Sequence, residues 1–381
     1  MAVATVLCLG AMGLSPLSQG SSTPEAELRL RDLTAEWETP ATDLLWGFRN
    51  LYNPDVVAVR GDEEYPFRMF LFGWAADDDN PGYPGADAVF VARSRDLLKW
   101  EVYSGDAGWD TTMTPSRWVP VLCADAKPYD NVHNGDPSVV VRDGTFYMAF
   151  SSVGFDTVTD ADGTQHTCVI SCVMGARSAD GIAWEKTAAP ILIWDQEYVN
   201  RWAIVDGKIP GPPPGYQGSY HRPCLMRDKG RWRLWFDYFL EGTFVSMGYA
   251  ENDGDFMDPA DWKVVRAGDR PLLRDWPNTS VVRAGTEYYA FSDAPGYPTD
   301  WGGDGRQLTV ARSRDGIEWK VQGHLRPCPG QSSHVPEALV HTDAEGTWLY
   351  LFYSWKPEVQ PWDYRYKSIR FMRKLLTPAT R

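Results

Sequence analysis

Three segments of this chain are copies of one nine-residue unit, and that repeat constrains the fold more than any other feature. They read ARSRDLLKW (Ala92 to Trp100), ARSADGIAW (Ala176 to Trp184) and ARSRDGIEW (Ala311 to Trp319), giving the pattern A-R-S-x-D-x-x-x-W. A decayed fourth copy, YAENDGDFMDPADW, ends at Trp262. Each copy reads as a strand closing on Ala-Arg-Ser, a tight turn at the Asp or Asp-Gly, and a tryptophan opening the next strand. These tryptophans are expected to pack between layers rather than to touch a ligand.

A hairpin precedes each copy, and a fifth lies near the C-terminus. The second, NGDPSVVVRDGTFYMAFSS, shows the design: an apolar run, an Asp143-Gly144 turn and an apolar return. The other turns fall at Gly61-Asp62, Lys229-Gly230, Ala284-Gly285 and Glu345-Gly346. The resulting expectation is an all-β chain, a five-bladed β-propeller with four-stranded antiparallel blades. Blade starts near Asp55, Asp136, Arg222, Ser280 and Glu337 are spaced 81, 86, 58 and 57 residues. Blades ordinarily take about 40–50 residues, so the first two carry long insertions, Tyr103 to His133 and Lys186 to Tyr220, expected to wall one face. The propeller is placed at 45–381. Residues 23–44 precede it with a short helix, Thr23 its N-cap and Pro24 its first residue.

Residues 1–22 read as a leader: an apolar run from Ala2 to about Leu14 matches a signal-peptide core and is too short to span a membrane. The first basic residue is Arg29, so the usual positive start is missing. The expectation is a secreted or periplasmic protein. Lys plus Arg total 37 against 51 Asp plus Glu, a net charge of −14. That charge opposes nucleic acid and anionic membranes as partners and suits a neutral substrate. Cys8 lies in the leader. Cys123, Cys168, Cys172, Cys224 and Cys328 are an odd set with no metal-type spacing, read as buried free thiols.

In a propeller the innermost strands surround one channel, and their first residues converge at one end. Those residues are Asn53-Pro54-Asp55, Asp136-Pro137, His221-Arg222-Pro223, Asn278-Thr279-Ser280 and His334-Val335-Pro336-Glu337. The second strands return Trp74, Ser151, Asp237, Asp293 and Ser354 to the same end. Carboxylates gathered in one funnel raise one another's pKa, and a pair with separated values is what glycosidic cleavage requires. No cofactor is required. A structural calcium in the channel would be compatible with the fold, although no ligand run marks one. Trp46, Trp109, Trp118, Trp202, Trp276 and Trp301 are candidate platforms for sugar rings.

The repeats, together with inner strands that open on Asp-Pro and close on MAFSS or LFYS, resemble the five-bladed propeller glycosidases. Those are glycoside hydrolase families 43, 32 and 117, with the family 130 phosphorylases more distant. The resemblance covers roughly residues 45 to 370. It implies a carbohydrate substrate and hydrolysis, with a base at the first blade, an orienting Asp at the second and a Glu acid at the third; the long insertions, which would close the funnel into a pocket, point to exo-action. Asp136-Pro137 matches the second position. At the first, the Asp-Pro register falls on Asn53-Pro54, with Asp55 after the proline. At the third, His221-Arg222-Pro223 replaces Glu-x-Pro. Asp55 and Asp136 are therefore the candidate base and orienting carboxylate, with Glu337 and His221 level as candidate acids and Asp237 third. Arg222, Trp74, Asp237, Asp293, His334 and Asn53 are expected to contact substrate. Two rival readings are a glycoside phosphorylase using Arg222, His221 and His334, and a propeller that binds carbohydrate without cleaving it.

Overall fold

The computed structural model describes residues 33–48, 50–74, 88–127, 129–159, 163, 165–193, 218–239, 245–294, 307–327, 333–356 and 367–378. The expected leader and most of the expected short helix lie outside them. No helix among the described residues is long and apolar enough to cross a membrane.

The chain forms a five-bladed β-propeller of antiparallel sheets. It opens with β1 (Leu45–Trp46) and then builds blade I from β2 (Asn50–Ala58), β3 (Phe67–Trp74), β4 (Ala88–Ser94), β5 (Trp100–Tyr103) and β6 (Trp109–Asp110). Blade II holds β7 (His133–Arg142), β8 (Thr145–Thr159), β9 (Gln165–Ser178) and β10 (Glu185–Lys186). Blade III holds β11 (Gly218–Asp228), β12 (Arg231–Phe239), β13 (Ser246–Asn252) and β14 (Trp262–Arg266). Blade IV holds β15 (Ser280–Ala284), β16 (Glu287–Ser292), β17 (Thr309–Ser313) and β18 (Trp319–His324). Blade V holds β19 (Ser333–Thr342), β20 (Gly346–Trp355) and β21 (Ser368–Pro378), and β1 is its outermost strand. The fifth sheet is thus completed by both ends of the chain. The four-stranded expectation needs one adjustment: blade I gains β6, two residues paired to β5.

The repeat explains the outer turns. Ser94, Ser178 and Ser313 each accept the amide two and three residues on, while Asp96, Asp180 and Asp315 accept the next two amides. The indoles of Trp100, Trp184 and Trp319 each donate to the carbonyl three residues earlier. The decayed copy keeps this plan over a longer loop, with Asn252 in place of Ser and Trp262 donating to Phe256. The repeat tryptophans are structural, as expected. Inner turns follow the same economy. Asp143-Gly144 and Lys229-Gly230 both take positive φ at both residues, matching the right-handed twist of the strands they join.

Packing runs around the ring. Buried apolar clusters straddle blades I and II (Phe70, Phe146), II and III (Ala149, Phe236), III and IV (Trp235, Tyr288), IV and V (Phe291, Leu351) and V and I (Phe352, Leu71). Each sheet buries both faces against its neighbours, so blades stack radially and their first strands are left lining the channel. The first insertion packs back onto blade I, where Leu122 pairs with Val89 and Trp118 joins the core. The second is described only at its ends.

Candidate functional site

Five residues at the mouth of the channel share one backbone geometry. Asn53, Asp136, Arg222, Asn278 and Val335 all have φ between 47° and 55°. In four blades a register shift follows at that point, between Tyr52/Asp55, Gly135/Ser138, His221/Cys224 and His334/Glu337. A left-handed residue bends the strand, and the bulge it makes re-aims the side chain. These five are the upper ring.

Two residues further, Asp55, Ser138, Cys224, Ser280 and Glu337 form a lower ring. In four blades the member accepts an amide from the next blade's first strand: Val139 N–H donates to Asp55 at 3.0 Å, Leu225 to Ser138 at 2.9 Å, Val281 to Cys224 at 3.1 Å and Ala338 to Ser280 at 2.9 Å. Asp55 therefore does not stand beside Asp136. It stands one ring deeper, level with Glu337, because two residues of strand separate it from the position of Asp136. The blade starts read from sequence mix the two rings: Asp136 and Arg222 belong to the upper, Asp55, Ser280 and Glu337 to the lower. Burial pushes Asp55 up to about 8, against the hydrogen bonds from Val139 and Ser138. Glu337 keeps some surface toward the channel, yet desolvation and the nearby Asp55 raise it well above the usual carboxylate range.

A second set of latches ties the upper ring. The amides of Arg222, Asn278, Val335 and Asn53 donate to Ser151, Asp237, Asp293 and Ser354 of the preceding blade. The matching position in blade I is Phe72, paired opposite Tyr52, which cannot accept. Trp74 lies two residues beyond it, opposite Asn50, and so is out of step with the four polar residues grouped with it from sequence.

Charge gathers around Arg222. Its Nε is 3.9 Å from Asp136 Oδ1 and its Nη1 3.7 Å from Asp237 Oδ2, with its guanidinium 5.9 Å from the Tyr52 ring. Burial works against that charge, but Tyr52, Asp136, Asp237 and Asp293 outweigh it and hold Arg222 firmly protonated. Asp237 is fully buried, and desolvation raises it to about 8 despite Arg222 and the Asn278 amide. Asn278 also donates to both oxygens of Asp293, and His334 Nδ1 lies 3.2 Å from Asp293 Oδ2. His221 sits opposite Asp237 in the sheet, half-exposed and stacked on Phe239 at 5.3 Å. Asp136 Oδ1, Arg222 Nε, Asp237 Oδ1 and Asn278 Oδ1 are buried and hydrogen-bond to no protein atom. Buried polar groups almost always find partners, so four orphans in one place mark a site built for a ligand or water.

Of the sequence candidates, the mouth brings together Asn53, Asp136, His221, Arg222, Asp237, Asp293 and His334, and separates Asp55 and Glu337. Asn278 and Tyr52 join those at the mouth, neither assigned a role from sequence. Asn278 carried a signal, its place among the recurring strand starts; Tyr52 carried none. The expected sugar platforms Trp118 and Trp276 are 3% and 2% exposed and belong to the core. Trp109 packs against Tyr103 and Arg93. Trp202 and Trp301 lie outside the described residues. Cys123, Cys172 and Cys224 are free thiols, the last two buried. Among the described residues no three His, Cys, Asp or Glu side chains gather closely enough to hold a metal ion.

No protein-family profile and no curated protein sequence matches the chain. Solved structures do. A family 117 glycoside hydrolase of the marine bacterium Zobellia galactanivorans superposes with a TM-score of 0.55 at 13% identity, covering 91% of this chain and 92% of the other. BT0996, solved as an RGII complex, gives 0.58 at 15% identity over 93% and 99%. The Cellvibrio cellulosa α-L-arabinanase, solved with arabinohexaose, gives 0.50 at 14% identity over 85% and 92%. The chain has the fold of the five-bladed propeller glycoside hydrolases.

Proposed function

We propose that the protein is a glycoside hydrolase acting at the channel mouth. The observation that carries this reading is the set of orphaned buried atoms on Asp136, Arg222 and Asp237, which joins two carboxyl groups of unlike environment to one cation. Asp237, at about 8, holds its proton at neutral pH and serves as the acid toward the leaving oxygen. Asp136, beside Arg222, is the base toward water, and Arg222 binds sugar hydroxyls. The funnel is floored by the lower ring, which suits a chain end rather than the middle of a polymer, so the action is read as exo. The similarity to an arabinanase solved with its oligosaccharide supports the substrate class.

A phosphorylase is less well supported. Arg222 already faces Asp136 and Asp293, carboxylates that oppose a phosphate brought beside it. A propeller that only binds carbohydrate keeps one observation in its favour: Asn53 and His221 stand where the resembled families carry Asp and Glu.

The test is a screen of aryl furanosides, aryl pyranosides and plant and algal oligosaccharides, with and without phosphate, beside Asp136→Asn and Asp237→Asn. With Asp237 as acid, kcat/KM falls as pH rises through about 8. Activity retained in Asp237→Asn and lost in His221→Ala would assign the acid to His221 instead. No turnover by the parent protein on any substrate, with glycan binding intact, would refute the hydrolase.

A further inference from the structure

We infer that the flank of the propeller carries a second carbohydrate-binding site, for a neutral polysaccharide chain, outside the channel. It goes beyond the proposed activity and rests on it only for the substrate class. A cleft of 430 Å³ lies between the outer edge of blade I and β1, lined among others by Asp43, Trp46, Leu98, Lys99, Glu101 and Thr112. That volume is within the range of about 300–1,000 Å³ usual for small-ligand sites.

Its apolar wall is unlike the rest of the described surface. Trp46 and Leu98 are each 46% exposed. The other exposed large apolar side chains among the described residues are valines: Val119, Val264, Val265 and Val321. Every other described tryptophan with a placed side chain is buried or half-buried. The exposed tryptophan and the exposed leucine thus line one cleft. Trp46 is anchored there by β1, where it pairs with Ser368, and the neighbouring Asp43 is fixed by Ser368 and Arg370. An indole carried on a paired strand beside an apolar neighbour suits the C–H-rich face of a pyranose or furanose.

Polar groups surround that platform. Thr112 and Lys99 are exposed, and Glu101 accepts from the Tyr65 hydroxyl and Arg93. The lining carries Asp43, Asp96 and Glu101 against Arg95 and Lys99, an excess of one negative charge that gives an anionic chain no advantage there. The protein's net charge of −14 opposes acidic polymers in general. A neutral, hydroxyl-rich chain fits both. The site would hold polymer while chain ends enter the mouth. That raises local concentration without a contact to the reacting bond.

The experiment is native electrophoresis through gels cast with linear arabinan, β-1,3-galactan, xylan or agarose, using the parent protein, Trp46→Ala and Asp136→Asn. Hydrolysis of a small aryl glycoside and Tm are measured alongside. Expected is retardation of the parent and Asp136→Asn by at least one polymer, weakened about tenfold in Trp46→Ala, with Tm and small-glycoside turnover unchanged. Retardation equal in Trp46→Ala and the parent, or none with any polymer, overturns the second site. Trp46-dependent retardation without hydrolysis would leave this inference standing and remove the hydrolase reading; hydrolysis with retardation indifferent to Trp46 would do the reverse.

Discussion

The two rings of the channel are built from the same five strands, two residues apart, and they do different work. The lower ring has a structural duty: Asp55, Ser138, Cys224 and Ser280 each hold an amide of the next blade, and its carboxyls are driven toward the neutral form. The upper ring puts Asp136 and Arg222 on left-handed, bulged positions and leaves atoms of both without partners. Polar residues at a strand start are therefore not one kind of evidence. A polar side chain whose acceptors are engaged within the protein, as those of Asp55 are by Val139 and Ser138, is a fastener. One that faces an opposite charge and lacks a protein partner is available for chemistry.

The contrast can be broken by substitution. The largest effect is expected from Arg222→Met, which leaves Asp136, Asp237 and Asp293 without their cation. Breaking a buried charge cluster in this way costs about 3–5 kcal/mol, so the variant should lose activity and melt far below the parent in a thermal scan. Next, Asp136→Asn should lower kcat/KM by ~10²–10⁴ with little change in Tm, whereas Asp55→Asn should stay within a few-fold of the parent. Equal losses in the two would erase the distinction between the rings. Ser280→Ala removes the acceptor of the Ala338 amide, which then stands buried and unsatisfied. A loss of about 1–3 kcal/mol in denaturant unfolding is expected, with kcat/KM retained.

The smallest effect concerns pH. Asp55 titrates near 8 in the fold against 3.8 when free, so between those values the folded state binds more protons than the unfolded one. Its contribution to stability is complete below about pH 4 and declines as pH rises toward 8. Asp55→Asn keeps the acceptor for Val139 without that decline. Its Tm relative to the parent should therefore rise with pH across this window, by a few degrees. A difference independent of pH would show that Asp55 ionises freely.

Much of the fold was legible because the repeat is local. Ser, Asp and Trp in A-R-S-x-D-x-x-x-W complete their hydrogen bonds within one turn, so nine residues suffice to read it. The glycine turns are equally local. The ring assignment was not legible, since it depends on a bulge that sequence spacing does not reveal. Asp55 looks as close to Pro54 as Asp136 does to Pro137, yet lies on the other side of the bend. The role of Phe72 and the approach of Tyr52 to Arg222 depend on pairing between blades, which no single segment encodes. Trp118 and Trp276 look like surface platforms in the sequence because loop residues are usually exposed; both loops fold back into the core.

The pairing of β1 with β21 has a temporal meaning. Asp43 reaches Ser368 across 325 residues, and Glu38 bridges Arg373. During synthesis the first strand emerges long before its partner, and blades I to IV can stack while the circle stays open. Until residues 368–378 are made, β1 has no partner strand and the fifth sheet lacks its outer half. Contacts this distant in sequence form slowly. The mouth therefore rests on contacts that join segments some 300 residues apart.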